Sequence, residues 1–252
     1  MAKLIFLGTS NAIPDQHHEN THMAVLGIRT KLLIDCGSNP IVRLQEANIN
    51  VLEITDLILT HFHPDHVFGA PLLLMSSWLM GRQTPLNIYG LKYTLDRVKI
   101  MMDAFEWKTW PNFFPVAFHE VQETEMYLVL ENNEFKVYSS PVHHIIPNIG
   151  LRIEFEEGNQ VLAYSCDTEP CDEVIKLANQ ADLLVHESAG DTRGHSSASQ
   201  AGEIATKANS KTLYLIHYPT DKISLSTLTK EAQNTFSGLV YLAEDLQELS
   251  LQ

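Results

Sequence analysis

Three histidines and one aspartate fall within six positions of the chain, in the stretch His61-Phe62-His63-Pro64-Asp65-His66. The apolar run 57–59 leads into this stretch. In extended backbone, side chains two positions apart point the same way, so His61, His63 and Asp65 can face one point, and His66 follows as the chain turns. Imidazole nitrogen combined with carboxylate oxygen suits borderline cations such as zinc. A solvated histidine-rich loop is the alternative, but such loops usually lack an apolar strand before them.

Four potential ligands in one loop exceed what a single catalytic ion needs if it keeps an open position. The spacing therefore predicts two ions side by side. His61 and His63 would bind one ion, and Asp65 and His66 would bind the other.

Further donors stand where other apolar stretches end. The pair His143-His144 follows the stretch 135–138, Asp167 follows 163–164, and His217 follows 213–216. A histidine or aspartate at a strand end is more often a satisfied polar residue than a ligand, so each is weak evidence alone. Together with residues 61–66, they supply the donors that a two-metal site requires.

Composition and charge restrict the class of protein. The 252 residues are enough for one large domain or two small ones, and a net charge of −14 argues against a broad phosphate-binding surface. A small anionic substrate remains compatible, because two divalent cations would supply local positive charge. The three cysteines lack zinc-finger spacing. Residues 1–8 resemble a strand rather than a signal peptide, and no stretch is apolar enough to span a membrane. We therefore expect a cytoplasmic protein with no membrane partner.

Short apolar segments alternate with helical ones along most of the chain. The predicted strands are 3–7, 24–28, 31–35, 56–59, 86–89, 134–140, 150–155, 161–165, 183–185, 212–216 and 239–242. The predicted helices are 40–47, 69–80, 92–103, 171–180, 197–208 and 225–235. This pattern predicts an α/β sandwich of two sheets flanked by helices, in a single domain spanning residues 1–252.

The segment 103–115 holds two tryptophans and three phenylalanines with no regular period. One interpretation is a loop packed on the core or on a second subunit. The other is a lid whose aromatic faces stack on a nucleotide base. A symmetric homodimer in which this segment covers the neighbouring site is compatible with both.

The ordered motifs resemble those of the metallo-β-lactamase superfamily, and within it the ribonuclease Z-like phosphodiesterases, from residue 3 to about residue 220. The resemblance rests on the run 61–66, on the opening Leu4-Ile5-Phe6-Leu7-Gly8-Thr9, and on Pro141-Val142-His143-His144 with Pro147, Gly150 and Arg152. It also includes Tyr164-Ser165-Cys166-Asp167-Thr168, His186-Glu187 and Gly194-His195-Ser196-Ser197-Ala198. The resemblance implies an αββα metallo-β-lactamase sandwich of two mixed β-sheets flanked by helices. It also selects His144 rather than His143 as a ligand, because the family's proline stands three residues after the ligand.

The resemblance implies a role for each site residue. The first zinc ion would be held by His61, His63 and His144, the second by Asp65, His66 and His217, with Asp167 bridging the two. A hydroxide held between the two metals would attack phosphorus in line. The candidate catalytic residues are Asp65, His195 as the donor of a proton to the leaving oxygen, and Glu187 as the partner that orients His195. The residues do not distinguish two Zn²⁺ from Mn²⁺ or iron.

The chain departs from the family's processing ribonucleases in one segment. Those enzymes carry a long tRNA-gripping arm between the third motif and the bridging aspartate. Here the segment 152–161 predicts a simple hairpin with a Glu-Gly-Asn turn, which carries carboxylates where an RNA-binding arm would carry Lys or Arg. The loop 14–20 is not basic either, and we expect its His17 and His18, together with the nearby His22, to be surface or substrate-loop residues rather than a third metal site.

These observations favour a dizinc hydrolase that cleaves a small phosphodiester, with 3′,5′-cyclic nucleotides as the best candidates and nucleoside monophosphates as products. Armless family members of the anti-Pycsar type are the model for this activity. The first alternative is a tRNA 3′-end endonuclease (ribonuclease Z) that functions without the arm. A lactonase, thioesterase or lactamase fits the phosphate-suited motif 194–196 less well, and a metal-binding module without catalysis would not need the proton donor His195.

Overall fold

Two seven-stranded β-sheets lie face to face in the computed structural model, which describes residues 2–220 and 225–251. The strands are β1 (Ala2–Gly8), β2 (His22–Leu26), β3 (Lys31–Ile34), β4 (Asp56–Leu59), β5 (Leu86–Leu91), β6 (Val116–Val121), β7 (Tyr127–Glu131), β8 (Phe135–Pro141), β9 (Ile149–Phe155), β10 (Val161–Tyr164), β11 (Leu183–Glu187), β12 (Thr212–Ile216), β13 (Leu239–Leu242) and β14 (Glu248–Leu251). The helices are α1 (Pro40–Glu46), α2 (Pro64–Val67), α3 (Gly69–Leu79), α4 (Lys92–Ala104), α5 (Asp172–Leu177), α6 (Ala198–Lys207) and α7 (Leu225–Gln233).

Both sheets are mixed. The first has the order β14-β1-β2-β3-β4-β5-β6, antiparallel from β14 to β3 and parallel from β3 to β6. The second has the order β13-β12-β11-β10-β9-β8-β7, parallel from β13 to β10 and antiparallel from β10 to β7. The predicted sandwich of two mixed sheets is therefore confirmed.

Three apolar layers hold the sheets and helices together. In β1, Leu4 and Phe6 belong to the core between the sheets, whereas Ile5 and Leu7 belong to the core under α1, α3 and α4. A third core packs α5, α6 and α7 on the outer face of the second sheet. Because both faces of the central strands are buried, these strands are continuous apolar runs rather than alternating ones. The single domain over residues 1–252 stays a prediction.

All the predicted strands and helices are present, within a few residues at their ends. The prediction missed β6, β7, β14 and the short helix α2. All three missed strands are edge strands in which most residues are partly or fully exposed. Polar or charged residues interrupt the apolar ones in β6 and β14, whereas β7 contains an apolar run, residues 127–130, that the prediction overlooked. No helix within the described ranges is long and apolar enough to cross a bilayer.

The aromatic segment 103–115 packs on its own chain. Trp110 stacks on Trp78 at 5.0 Å, Phe114 is buried, and Arg82 lies over the ring of Phe114 at 5.2 Å. The segment therefore extends the core under α3 and α4, as the packed-loop interpretation expects.

The hairpin between β9 and β10 is as short as predicted, with residues 156–160 as its connection. Gly158 and Asn159 both adopt positive φ, which glycine and asparagine tolerate best.

Candidate metal centre

The histidine-rich loop leaves the end of β4 and turns at once into α2. His63 is still extended, but Pro64 starts the helix, as proline does readily at a first helical position. The expectation that Asp65 continues the extended backbone is therefore wrong. The backbone changes from extended to helical at Pro64, and the loop contributes to two donor groups, although the rings of His61 and His66 lie only 4.1 Å apart between centroids.

The first donor group consists of His61, His63 and His144. The Nδ1 atom of His63 lies 3.1 Å from Nε2 of His61 and 3.1 Å from Nε2 of His144. His144 reaches this position from the loop after β8, and its Nδ1 lies 2.7 Å from the carbonyl oxygen of Gly194, to which it donates. The neighbouring His143 points elsewhere, with Nε2 3.7 Å from the Glu173 carboxylate.

The second donor group consists of Asp65, His66 and His217. The Oδ2 atom of Asp65 lies 3.4 Å from Nε2 of His66 and 3.4 Å from Nε2 of His217. His217 directly follows β12 and has a φ of +54°, a conformation that a histidine adopts only when its surroundings hold it there.

One atom of Asp167 lies between the two groups. Asp167 follows β10, and its carboxylate is 2% exposed. Its Oδ2 is 3.8 Å from His61 Nε2 and 4.0 Å from His144 Nε2 in the first group. The same oxygen is 3.5 Å from His66 Nε2 and 3.4 Å from His217 Nε2 in the second group. This is the position from which a carboxylate could bridge two ions.

The donor set fits divalent cations. Because His144 donates through Nδ1, its Nε2 presents a lone pair, and burial lowers the pKa of this ring to about 4. Burial also lowers the pKa of His61 well below its usual value. The buried side-chain atoms of the described chain that have no hydrogen-bond partner include His66 Nε2 and Asp167 Oδ1. Lone pairs and carboxylate oxygens that converge in a buried place repel one another unless a cation lies among them.

Asp35, which the sequence analysis missed, holds the loop from behind. It follows β3, is 1% exposed, and accepts hydrogen bonds from the backbone and hydroxyl of Thr60 at 2.8 and 2.9 Å. Its Oδ2 lies 2.8 Å from His66 Nδ1, which leaves Nε2 of that ring for the site. Although burial opposes it, the charges of Asp167, Asp35 and Asp65 raise the pKa of His66. The signal was available, because Asp35 ends an apolar strand just as Asp167 does.

Glu187 and His195 form a hydrogen-bonded pair beside the two donor groups. His195 Nδ1 lies 3.1 Å from Glu187 Oε1, and the ring is parallel to that of His217 at 5.7 Å between centroids. Glu187 is fully buried and accepts backbone hydrogen bonds from Thr168, Ala189 and Ser196. Burial lowers the pKa of His195, but the hydrogen bond and charge of Glu187 outweigh this and raise it above the usual value. Glu187 therefore favours the protonated form of the His195 ring.

A cavity of about 420 Å³ opens over these side chains. Two loops border it besides the donor groups. Residues 11–13 come from the loop after β1, and Ala189 and Thr192 come from the loop after β11. No Lys or Arg is among its lining residues, and no residue of the aromatic segment 103–115 of the same chain lines it.

The remaining histidines of the early loop do not join the centre. His17 is exposed, and His18 Nδ1 lies 3.0 Å from Asp15. His22 is fully buried, with Nδ1 2.8 Å from the carbonyl oxygen of Asn20. None of the groups of His, Cys, Asp and Glu that lie close enough to hold an ion in the described chain includes them.

The fold and the donor set define a metallohydrolase of the metallo-β-lactamase superfamily, of the ribonuclease Z type. The family model of the anti-Pycsar protein Apyc1 matches residues 2–241, and the chain belongs to this family.

Individual relatives agree with this assignment. The ribonuclease Z of Methanothermobacter thermautotrophicus is 28% identical over 308 residues, covering 100% of this chain and 97% of the relative. The structure of the short form of human tRNase Z superposes with a TM-score of 0.81 at 25% identity, covering 99% of each chain. The metallo-β-lactamase fold protein YhfI from Bacillus subtilis superposes with a TM-score of 0.83 at 24% identity, covering 98% of each chain.

Proposed function

We propose that the chain is a phosphodiesterase that opens 3′,5′-cyclic nucleotides to nucleoside monophosphates with the help of two divalent cations. The observation that carries the proposal is the position of the His195–Glu187 pair beside two donor groups that share Asp167. A hydrolase of phosphodiesters needs charge neutralisation at phosphorus and a proton donor for the leaving oxygen, and this arrangement offers both.

We assign one cation to His61, His63 and His144 and the other to Asp65, His66 and His217, with Asp167 shared. Zn²⁺ suits the nitrogen-rich set, and Mn²⁺ is the alternative. Such ions lower the pKa of a water molecule and neutralise phosphate oxygens.

The chain's own residues supply the proton steps. Water adds to phosphorus and releases one proton to solvent, while the bond from phosphorus to O3′ breaks with its electron pair on O3′. His195 gives the proton on Nε2 to O3′ while Glu187 holds the ring through Nδ1, and the ring then regains a proton from solvent. Asp65 lines the cavity as well as completing the second donor group. Burial opposes it, but His66 and His217 keep the pKa of Asp65 far below its usual value, so this carboxylate is ionised at neutral pH.

Three observations favour a small substrate. The cavity is of the size of a small ligand, its lining has no Lys or Arg to follow a polynucleotide backbone, and the hairpin 156–160 has no room for an arm. The alignment with the archaeal ribonuclease Z is longer than the chain itself, so that relative carries insertions that this chain lacks. The family match to an anti-Pycsar protein supports cyclic nucleotides within the class of small phosphodiesters.

The second candidate function is tRNA 3′-end processing without the arm. The full-length similarity to an archaeal ribonuclease Z and to the short form of human tRNase Z favours it. It uses the same proton donor and donor groups, and differs only in what binds outside the cavity.

The test is digestion of a panel of cAMP, cGMP, cCMP and cUMP, in parallel with a precursor tRNA that carries a 3′ trailer, by protein loaded with Zn²⁺ or Mn²⁺. We expect cleavage of cyclic nucleotides and an intact precursor. His144→Ala should abolish the activity. The matched control, His143→Ala, removes a neighbouring exposed histidine and should retain it. Cleavage of the precursor alone would establish the second candidate, and an intact cyclic panel would refute the first.

We also propose a homodimer, held by an apolar surface on α3 and α4. Its groove has a volume of about 510 Å³ and is lined by Phe68, Pro71, Leu72, Met75, Met101, Phe105 and Trp110. Phe68 is 66% exposed and Phe105 is 55% exposed, and contiguous apolar surface of this kind marks interaction sites. A second copy seated there would bring one chain's aromatic segment close to the other chain.

Sedimentation of the wild-type chain and two variants tests the dimer. Phe105→Lys places a charge in the groove and should give monomers. Ile28→Lys adds the same charge at a side chain that is 77% exposed and remote in sequence, and should leave the dimer intact. A monomeric wild-type chain would contradict the proposal.

A cytoplasmic location completes the proposal. The three cysteines are free and buried, as is common where thiols stay reduced. Activity of the enzyme in a cytoplasmic rather than a secreted fraction would support this location.

A further inference from the structure

A buried carboxylate outside the metal centre connects the C-terminal strands to the cavity. Asp245 lies in the turn between β13 and β14, and its side chain is 8% exposed. It falls beyond the residues 2–241 that the family model matches. Asp245 is not one of the proposed metal ligands or catalytic residues.

The two oxygens of Asp245 bind both ends of one loop. Oδ1 accepts a hydrogen bond from the hydroxyl of Thr9 at 2.6 Å, and Oδ2 accepts one from the backbone N–H of Glu19 at 2.9 Å. Thr9 and Glu19 flank the loop that supplies residues 11–13 to the cavity. Asp245 therefore adds side-chain contacts to a loop base that is also closed by backbone hydrogen bonds from Thr9 and Ser10 to the carbonyl oxygen of Glu19.

Arg43 supplies a positive charge beside Asp245 and holds its carboxylate in place, although burial raises the pKa of Asp245. Its Nη2 lies 2.7 Å from Asp245 Oδ2, and its Nε donates to the carbonyl oxygen of Leu7 at 2.7 Å. The Arg43 side chain is 12% exposed, so both members of the pair are largely shielded from water. Arg43 also pairs through Nη1 with the exposed Glu46 at 2.6 Å, so Arg43 stays compensated without Asp245, whereas Asp245 without Arg43 would be an uncompensated buried charge.

Thr9 also connects Asp245 to the metal centre. The carbonyl oxygen of Thr9 accepts a hydrogen bond from the backbone N–H of His217 at 2.8 Å. The hydroxyl of Tyr218, the next residue, donates to the carbonyl oxygen of Ala243 at 2.7 Å and lies 3.0 Å from Thr9 Oγ1. The C-terminal segment thus holds both the cavity loop and the backbone that carries His217.

We propose that Asp245 is a positioning residue. It holds the loop of residues 11–13 at a fixed distance from the metal centre, so that a nucleoside fits between this loop and the metal centre. This inference rests on the proposed phosphodiesterase function. The proton donor belongs to a separate set of contacts, since Glu187 is held by Thr168, Ala189 and Ser196. Loosening the loop should therefore weaken substrate binding and leave the chemical step nearly intact.

Steady-state kinetics with two substrates test the proposal. Asp245→Ala removes all three contacts, and Asp245→Asn removes the charge while keeping the shape. We expect KM for the cleaved cyclic nucleotide to rise about tenfold in Asp245→Ala, which corresponds to about 1.4 kcal/mol of binding free energy, with kcat within about twofold of wild type. Bis(p-nitrophenyl) phosphate has no nucleoside, so its kinetics should change little.

Glu248→Gln is the matched control. Glu248 lies in β14, close in sequence to Asp245, and forms an exposed ion pair with Lys3. Removing this carboxylate should leave both KM values unchanged. Metal content after gel filtration should equal that of wild type in all the variants.

Hydrogen exchange keeps the proposal falsifiable if Asp245→Ala does not fold or if the wild-type chain cleaves no cyclic nucleotide. In Asp245→Asn, amides of residues 10–20 should exchange faster while those of the hairpin 156–160 do not change. Failure of the wild-type chain on every cyclic nucleotide would refute the proposed function, and exchange alone would then decide the role of Asp245. Two results would overturn the inference. One is an Asp245 variant whose KM for the cyclic nucleotide and whose amide exchange both equal those of wild type. The other is an Asp245 variant that loses metal and whose kcat falls equally for the cyclic nucleotide and for bis(p-nitrophenyl) phosphate.

Discussion

The two sheets contribute to the metal centre in different ways. The first sheet places four donors on one loop, residues 61–66, directly after β4. The second sheet provides one donor at a time, His144 after β8, Asp167 after β10 and His217 after β12. The first contribution is local in sequence, whereas the second exists only once the sheet has formed.

This difference assigns a different task to each sheet. The loop of the first sheet starts both donor groups, with His61 and His63 in the first and Asp65 and His66 in the second. The second sheet completes the groups, since His144 joins the first, His217 joins the second, and Asp167 contacts both. A defect in the second sheet should therefore affect one ion or both, depending on the strand end at which it occurs.

The largest expected effect follows from Asp167→Ala. Because its Oδ2 contacts ring nitrogens of both donor groups, we expect loss of both ions and a fall in kcat of about 10³-fold or more. His63→Ala removes a donor from the first group only and should leave one ion bound. The measurement is metal content by mass spectrometry together with kcat. Asp172→Ala, at an exposed aspartate five positions away, should behave as wild type, and an active Asp167→Ala variant would disprove the shared site.

The same contrast explains how much of the centre the sequence could predict. The run 61–66 shows its donors by spacing alone, and the strand ends offer His143-His144, Asp167 and His217 as further candidates. The choice of His144 over His143 and the assignment of each donor to an ion required the resemblance of ordered motifs. Their gathering at one place follows from parallel strands, whose carboxyl ends meet at one sheet edge. Their roles as ligands stay a prediction until metal is measured.

Other features could not be predicted, for physical reasons. The position of Asp35 after an apolar strand marks it as a candidate, but its contacts with His66 and Thr60 exist only in the folded chain. The edge strands β6 and β14 form by pairing with buried neighbours, because polar or charged residues interrupt their own apolar sequences. The contacts of Asp245 join residues more than 200 positions apart, such as Thr9 and Arg43, and only the folded chain shows them.

A smaller effect should distinguish the buried carboxylates of the two sheets. Asp35→Asn weakens the hold on His66, and we expect a metal affinity lower by about 10–100-fold. Glu187→Gln disturbs the proton donor instead, so metal affinity should hold while kcat falls by about 10²-fold. Zinc titration and kcat, measured on both variants, separate the two roles. If both variants lost metal equally, the assignment of Asp35 to metal binding and of Glu187 to the proton donor would be wrong.

The smallest effect concerns acid stability, in which the two sheets should behave alike. His22 in the first sheet and His186 in the second are fully buried, and burial lowers the pKa of each to about 4. The unfolded chain takes up a proton at each near pH 6.5, so the stabilisation present above that pH is lost as the pH falls toward 4. Each group contributes a slope of up to about 1.4 kcal/mol per pH unit in the free energy of unfolding.

Urea unfolding at pH 6.5 and pH 5 checks this expectation. His22→Gln and His186→Gln should each have a shallower loss of stability between the two pH values than wild type, whatever their stability at pH 6.5. Slopes equal to that of wild type would show that neither histidine is neutral in the folded chain.

The most direct test of the account is calorimetric titration of the metal-free chain with Zn²⁺. The account predicts two ions for each chain, falling to one in His63→Ala and to none in Asp167→Ala. A wild-type chain that binds one ion or none, or an Asp167→Ala variant that still binds two, would contradict the claim that the two sheets together build a shared two-metal centre.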